Sequence, residues 1–308
     1  MAFLRGFGKY LPERVVGNAE IGAQIGAEPS WIHEMSGIEE RRFARAGETV
    51  AEMAAAAGKD ALERSGVGAE ELGLILVSSG SAERRFPGPA SEVQHRLGAA
   101  QAIAIDVPMA SAGALFALAQ AEMWAARVGK VLVVAAEKMS EIALTPPIEK
   151  GTAMLFGDGA GAVLVDRDQG VARMVDFELG SDGASALELR LDFNAPVYMN
   201  GRMVIMHAAR KVPAAILAVL RRAGLEASDV HTFLMHQANS NLITRIAQTL
   251  GVEGGKFYSN IARYGNTSSA SMLIAACEWD HHFAAGDQVV FAAFGAGFQW
   301  GALLVEGV

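Results

Sequence analysis

The sequence predicts an α/β fold that is built from two related halves. Short apolar runs, typical of strands buried on both faces, alternate with helical patterns along the chain. The composition is 51% hydrophobic, with 34 glycines in 308 residues, which provides for a sizeable core and many tight turns. The predicted strands cover 72–79, 102–107, 130–137, 160–166, 230–236 and 287–295, and the clearest helical patterns cover 50–66 and 207–224.

A repeat with an offset of 158 residues supports the two halves. Shifting the sequence by this offset places 64–81 on 222–239, 108–117 on 266–275 and 131–138 on 289–296. We interpret the repeat as a duplication and divide the chain into a first half, 1–166, and a second half, 167–308. Ser111 and Asn266 then lie at the starts of equivalent buried helices. His236 follows one strand and Ala296 ends another, so we expect these residues to converge where strands end and helices begin.

Charge and cysteine content exclude several classes of function. The formal net charge is −8, and no cluster of Lys or Arg exceeds a few residues, so a nucleic-acid-binding role is not expected. The single cysteine, Cys277 in "LIAACEWD", gives neither a disulfide framework nor a zinc site, and it fits a reducing compartment. The N-terminus has no apolar signal core, and no uninterrupted apolar run reaches the roughly 18 residues of a membrane span. We expect a soluble, cytoplasmic protein.

Several motifs together are similar to those of the ketoacyl-acyl-carrier-protein synthase III family of thiolase-fold condensing enzymes. The motifs are "WIHEMSGIEERR" (31–42), "RFPGPA" (85–90), "FGDGAGAVLV" (156–165), "HQAN" (236–239), "YGNTSSAS" (264–271) and "AFGAGFQWG" (293–301). The resemblance covers essentially the whole chain. It implies a five-layered αβαβα fold, a homodimer, and acyl transfer or condensation in fatty-acid or polyketide-type biosynthesis.

The resemblance also implies which residues act. The family uses a Cys-His-Asn triad, and this sequence has His236 at the His position, Asn266 at the Asn position and Ser111 at the Cys position. His236 would be a base and an oxyanion donor, and Asn266 a second donor. The backbone N–H groups of Ser111 and Ala296 would form the oxyanion hole.

Serine changes the chemistry that is expected at position 111. A helix N-terminus supplies roughly half a positive charge, which shifts a pKa by about one unit and cannot ionise a hydroxyl. Ser111 would therefore need His236 as an explicit general base. Three interpretations stay open: an acyl-accepting serine, an engineered Cys-to-Ser change, and a natural loss that leaves an acyl-CoA-binding partner subunit with a helix-capping Ser111. A serine thioesterase or other hydrolase is a further alternative.

The family resemblance implies a coenzyme A thioester as substrate, with no cofactor and no metal. Residues expected at the substrate site are Trp31, Lys150, Gly151, Asn239 and Phe294. Phe86 resembles the residue that lines the acyl pocket of the partner subunit in family dimers. An acyl carrier protein is a second expected partner with a weak docking patch, because Arg245 is the one basic residue in "SNLITRIAQTLG" and Met206 stands in a stretch that is often basic. Met35 likewise occupies a position that the family often gives to Arg.

Overall fold

The computed structural model describes residues 1–192 and 195–308, and it contains the predicted alternation of strands and helices. The first half contains β1 (Phe3–Tyr10), β2 (Arg14–Gly17), α1 (Asn18–Ile25), α2 (Pro29–Ser36), β3 (Glu40–Phe43), α3 (Val50–Ser65), β4 (Leu74–Ser78), α4 (Pro89–Leu97), β5 (Ile103–Val107), α5 (Gly113–Val128), β6 (Lys130–Lys138), α6 (Met139–Ala143), α7 (Lys150–Ala153) and β7 (Asp158–Asp166). The second half contains β8 (Ala172–Ser181), β9 (Leu189–Arg190), β10 (Tyr198–Met199), α8 (Gly201–Ala223), β11 (Thr232–Met235), α9 (Ser240–Leu250), α10 (Ile261–Tyr264), α11 (Ser271–Trp279), β12 (Gln288–Gly295) and β13 (Gln299–Gly307).

The strand order repeats between the halves. The large sheet has the order β11-β12-β13-β8-β1-β7-β6-β4-β5, so β8, β13, β12 and β11 mirror β1, β7, β6 and β4. The pairings match as well, because β4–β6 and β11–β12 are parallel whereas β6–β7 and β12–β13 are antiparallel. A single parallel bridge between Phe233 and Phe257 stands where the second half would have a counterpart of β5. Helices α5 and α11 begin 158 residues apart, at Gly113 and Ser271, which is the offset of the sequence repeat.

The elements stack as five layers, αβαβα, as predicted. Helices α3 and α4 cover the outer face of the first half, and α8 and α9 cover that of the second half. Helices α5 and α11 form the middle layer, since α5 contacts β4 and β6 on one side and β12 and β13 on the other. Both middle helices are rich in small and apolar residues, as burial between the two halves of the large sheet requires. The two halves are joined where β1 pairs with β8 through two residue pairs. The division of the chain after Asp166 stays a prediction; β7 ends at that residue and β8 begins at Ala172.

Two elements differ from the sequence-based expectation. The run 102–107 was expected to form a strand buried on both faces, but β5 is the edge strand of the sheet, and Ile103 is 47% exposed. The long helix was expected over 207–224, but α8 begins at Gly201, because the Asn200 side chain accepts a hydrogen bond from the Met203 N–H and caps the helix. Helix α8 also has the length and hydropathy of a membrane span, and it packs on β13, β8 and β12 as a core helix does.

Candidate active site

A cavity of about 350 Å³ brings the predicted catalytic residues together. Its walls come from both halves of the chain, at the ends of strands and the starts of helices, where the repeat predicted convergence. The predicted site residues in its lining are Ser111, Gly151, His236, Asn239, Asn266, Phe294 and Ala296. Most of the remaining lining is aliphatic, including side chains from β9, β10, α8 and α9. Of the other predicted residues, Trp31 and Lys150 lie beside Gly151 of the cavity wall, and Phe86 lies outside its described lining.

Ser111 lies in a strained turn before helix α5. Its φ is 59°, in the left-handed region that residues with a side chain rarely adopt. The helix begins at Gly113 and its N-cap is Ala112, whose methyl group cannot accept a hydrogen bond. The interpretation of Ser111 as a helix-capping residue is therefore wrong. The turn instead places a partly exposed hydroxyl at the cavity wall.

Two glycines that were not predicted as site residues pack directly against this turn. A Cβ on Gly295 would lie 2.6 Å from the Ala110 oxygen and 2.7 Å from the Ala112 nitrogen, so the end of β12 packs directly on the backbone of the turn. A Cβ on Gly80 would lie 2.6 Å from the Ala110 Cβ on the other side. Only glycine permits this close approach. Gly295 lies in the motif "AFGAG", which indicated the family resemblance but did not predict this contact.

The Ser111 N–H group, predicted as an oxyanion donor, has a partner within the protein. It donates to the Ser268 Oγ at 3.0 Å. Ser268 has φ 48°, so the two non-glycine residues with positive φ in the described part of the chain are hydrogen-bonded to each other. An oxyanion role of Ser111 thus requires this N–H to be shared with, or turned from, Ser268. Ala296 lies at the cavity wall in the turn that follows β12.

Ser268 in turn belongs to a buried network around Glu137 at the end of β6. The carboxylate of Glu137 accepts hydrogen bonds from the Ser268 hydroxyl at 2.9 Å, the Ser269 hydroxyl at 2.6 Å and the Ser81 hydroxyl at 2.5 Å. The Gly80 N–H donates to it at 3.0 Å. Burial raises the pKa of Glu137, and the serine hydrogen bonds oppose that rise. Glu137 was not predicted from the sequence; a carboxylate near the end of a strand with an apolar centre was the available signal.

His236 is buried and neutral at physiological pH. It follows β11, is 6% exposed, and its backbone N–H donates to the Ala292 carbonyl. Burial lowers its pKa from 6.5 to about 4, and a hydrogen bond to the Ser268 backbone opposes part of this shift. The Nδ1 atom lies 2.7 Å from the Ser271 Oγ, which itself donates to the Ser268 carbonyl at 3.0 Å. We therefore assign the proton to Nδ1, which leaves the Nε2 lone pair as the basic atom.

Asn266 is held by both ends of its amide. The Oδ1 atom accepts from the Ser268 N–H at 2.9 Å, and the Nδ2 atom donates to the Ala238 carbonyl at 3.4 Å. Asn266 therefore stabilises the turn before the short 3₁₀ segment at 268–270 instead of capping helix α11, which begins later, at Ser271. The second N–H of the amide remains as a donor toward the cavity.

The predicted coenzyme A residues form a second cluster at the cavity edge. The Lys150 Nζ lies 4.4 Å from the centre of the Trp31 ring, a cation–π contact that covers one face of the indole. Asn239 is the N-cap of α9, and its Nδ2 donates to the Met35 carbonyl at 2.8 Å. The carboxamide of Asn239 thus joins α9 to the C-terminal end of α2.

Phe86 and Cys277, which the sequence singled out, both lie outside the described lining of the cavity. Phe86 is 85% exposed, and its role in the acyl pocket of a partner subunit stays a prediction. Cys277 is buried on α11, and burial raises the pKa of its thiol to about 12, which leaves it unreactive at neutral pH. Within the described ranges, no group of three or more His, Cys, Asp or Glu side chains could hold a metal ion.

The fold and this cavity define a thiolase-like enzyme, with a nucleophile position, a histidine and an asparagine around one site. Residues 105–183 match the family described as 3-Oxoacyl-[acyl-carrier-protein (ACP)] synthase III, and residues 220–306 match the family described as its C-terminal region. A beta-ketoacyl-[acyl-carrier-protein] synthase III of Listeria welshimeri is 37% identical over 309 residues, which cover 99% of this chain and 98% of that protein. The chain belongs to the 3-oxoacyl-[acyl-carrier-protein] synthase III family, and it is an acyltransferase of the condensing type.

Solved structures agree with this assignment. The 3-oxoacyl-[acyl-carrier-protein] synthase III of Aquifex aeolicus superimposes with a TM-score of 0.95 at 34% identity, over 99% of this chain and all of that chain. A priming beta-ketosynthase from the R1128 polyketide pathway superimposes with a TM-score of 0.90 at 31% identity, over 100% of this chain and 96% of that chain. Relatives of this chain therefore include condensing enzymes of fatty-acid and of polyketide biosynthesis.

Proposed function

We propose that Ser111 accepts an acyl group from a coenzyme A thioester and passes it to the carbanion of a malonyl thioester. The observation that carries the proposal is the turn at Ser111. A hydroxyl that cannot cap its helix is held at a left-handed φ, at the wall of a cavity that it shares with a neutral histidine. Strain of this kind is typical of functional sites and costs about 1–3 kcal/mol.

In the first step the Ser111 Oγ attacks the thioester carbonyl carbon. The hydroxyl proton passes to the Nε2 of His236, which is neutral and carries the lone pair needed for general-base catalysis. The C–S bond then breaks, and the departing thiolate takes the proton back from His236. The products are an acyl ester on Ser111 and free coenzyme A. The chemistry draws on no resident cofactor, since the thioester itself supplies the activated acyl group.

In the second step a malonyl thioester loses CO₂, and the resulting enolate carbon attacks the ester carbonyl of acyl-Ser111. The amide of Asn266 stabilises the enolate oxygen as a hydrogen-bond donor. The C–O bond to Ser111 breaks, and the serine oxygen takes up a proton that solvent supplies by way of the Nε2 of His236. The largely aliphatic cavity wall disfavours water near the ester, which supports condensation over hydrolysis.

We propose that the acyl donor is a coenzyme A thioester. We also propose that this chain offers only a weak docking surface to an acyl carrier protein. Lys150 and Trp31 offer a point charge and an aromatic face at the cavity edge. The rim around the mouth carries exposed apolar side chains where an acidic carrier would favour bases: Met35 is 46% exposed, Ile205 41% and Met206 51%. Charge complementarity governs the rate of encounter, so this rim favours a slow encounter with a carrier protein.

We also propose a homodimer and a cytoplasmic location. The large exposed side chain of Phe86 supports an interface that would cover it, and the buried lone thiol of Cys277 fits a reducing compartment. Sedimentation or light scattering of the purified chain at micromolar concentration tests the dimer. The dimer would be contradicted if the parent chain had the mass of a single chain and Phe86→Ala had the same mass.

A product assay tests the function. The purified chain is incubated with a panel of acyl-CoA thioesters and malonyl-CoA, and 3-oxoacyl products, CO₂ and free acids are quantified by mass spectrometry. We expect 3-oxoacyl product with at least one donor, and its loss in Ser111→Ala and His236→Ala. Free acid without 3-oxoacyl product would identify a thioesterase instead. Acyl-CoA binding with neither product would identify a non-catalytic partner subunit.

A further inference from the structure

We propose that Ser268, whose hydroxyl is oriented by Glu137, is a positioning residue for Ser111. The proposal rests on the proposed role of Ser111 as the acyl acceptor. The three residues form one chain of hydrogen bonds: the Ser111 N–H donates to the Ser268 Oγ at 3.0 Å, and the Ser268 hydroxyl donates to a Glu137 carboxylate oxygen at 2.9 Å. These hydrogen bonds connect the end of β6 in the first half with the segment just before α11 in the second half, and both are thereby joined to the turn that carries Ser111.

The geometry of the turn makes such an anchor necessary. Ser111 is strained at φ 59°, and without a hydrogen bond on its N–H the turn would relax toward a common backbone conformation. Ser268 is strained as well, at φ 48°, so each of these backbones is restrained by the other. Glu137 fixes Ser268, because the hydroxyl has one proton, and that proton is committed to the carboxylate. The Ser268 Oγ lone pairs are thereby directed at the Ser111 N–H.

Burial adds to the rigidity of this chain. Ser268 is 1% exposed and Glu137 is completely buried, so water cannot replace either partner. Glu137 is also held by the Ser81 hydroxyl and by the Gly80 N–H, so the loss of one serine hydrogen bond leaves it anchored. A buried network in which each member has its partners specifies one arrangement. The arrangement specified here is the position of the Ser111 Oγ relative to the Nε2 of His236.

The neighbouring Ser269 provides a matched control. Ser268 and Ser269 are both buried, and both donate to the same oxygen of Glu137, at 2.9 and 2.6 Å. Of these two hydroxyls, the structure gives the hydrogen bond from Ser111 to Ser268. Ser268→Ala and Ser269→Ala therefore remove equivalent bonds from Glu137 but differ in their effect on the turn. Ser268→Gly is a second test variant, because glycine removes the hydroxyl and also relieves the strain at φ 48°.

The experiment measures single-turnover acylation as a function of acyl-CoA concentration, together with thermal unfolding. A displacement of a reacting group by about 1 Å costs on the order of 100-fold in rate. We expect Ser268→Ala and Ser268→Gly to lower the limiting acylation rate 10- to 100-fold, with the half-saturating acyl-CoA concentration within threefold of the parent value. Ser269→Ala should acylate within threefold of the parent, even if its Tm falls as far as that of Ser268→Ala.

Three results would overturn the proposal. The first is equal acylation rates in Ser268→Ala and Ser269→Ala, and the second is a recovery of the parent rate in Ser268→Gly, which would assign the effect to backbone stability. The third is a loss of acyl-CoA affinity with an unchanged limiting rate.

A wild-type chain that forms no acyl adduct would contradict the proposed function and not this inference. The positioning is then measured with a thiol at position 111, as the rate of alkylation by iodoacetamide in Ser111→Cys alone and combined with the Ser268 or Ser269 variants. The Ser268 variants should alter that rate threefold or more, and Ser269→Ala less than twofold. Equal rates in all of them would refute the inference. The native Cys277 contributes little background, because burial raises its pKa to about 12.

Discussion

The buried state of His236 predicts how the stability of the chain depends on pH. The folded protein holds this ring with a pKa of about 4, while an unfolded chain exposes it with a pKa of 6.5. Below pH 6.5 the unfolded state therefore binds a proton that the folded state does not bind. The contribution of the neutral His236 ring to the free energy of unfolding is therefore fully present above pH 6.5. It falls as the pH decreases toward 4, where the folded state also becomes protonated.

The magnitude follows from the two pKa values. Their difference of about 2.5 units corresponds to about 3.4 kcal/mol, of which about 2 kcal/mol is lost between pH 7 and pH 5. The assay is urea unfolding at pH 7, 6 and 5 for the parent and for His236→Asn at one protein concentration. Buried carboxylates such as Glu137 titrate in both proteins, so the difference between them isolates His236.

We expect the parent to lose about 2 kcal/mol more than His236→Asn between pH 7 and pH 5. The same histidine should place the acid limb of the acylation rate near pH 4, well below the 6.5 of an exposed imidazole. Equal losses of stability in the two proteins, or an acid limb near pH 6.5, would show that His236 is accessible to water and would refute its assignment as a buried neutral base.

Three further predictions concern the turn and the rim. Ser111→Cys should raise the single-turnover acylation rate at pH 7.5 at least tenfold, because a thiol ionises near pH 8.5 and the start of α5 lowers that value; an unchanged rate would contradict the limit we assign to the hydroxyl. Gly295→Ala should reduce acylation about 100-fold, because its Cβ would collide with the backbone on both sides of Ser111, whereas Gly254→Ala, with open space around its Cβ, should acylate as the parent does. If the two glycine variants acylate at the same rate, the close packing of Gly295 on the turn is not required for acylation. Met206→Lys should lower the KM for a malonyl carrier protein severalfold at low salt, and this gain should disappear at high salt. Met123→Lys, on the exposed side of α5, should leave the KM unchanged at either salt concentration. An effect of Met206→Lys that does not depend on salt would count against an electrostatic docking surface.

The repeat in the sequence predicted most of the fold. The offset that aligns 108–117 with 266–275 is the offset between the starts of α5 and α11, and each duplicated strand lies at its mirrored place in the sheet. The strand 102–107 was misjudged because an apolar run has the same pattern at the edge of a sheet as at its centre. Burial there depends on which strands pair beside it, and no local pattern records that pairing.

The site was predicted only in part. The motifs placed Ser111, His236 and Asn266 at one cavity, because strand ends and helix starts meet there. The hydrogen bonds that hold them were not predictable, since Glu137 and Ser268 are distant in sequence and either residue alone reads as an ordinary strand end or turn. The strain at Ser111 was equally hidden, because its φ is restrained jointly by the hydrogen bond to Ser268 and by the contacts of Gly80 and Gly295, all from other parts of the chain.

The central claim, that Ser111 carries the acyl group, is tested most directly by the intact mass of the protein. The chain is incubated with acyl-CoA thioesters, quenched in acid, weighed by mass spectrometry and mapped by peptide digestion. The account predicts a mass increase of one acyl group on the peptide that contains Ser111, absent in Ser111→Ala and reduced in His236→Ala. No increase with any donor, or an adduct that persists in Ser111→Ala, would contradict it.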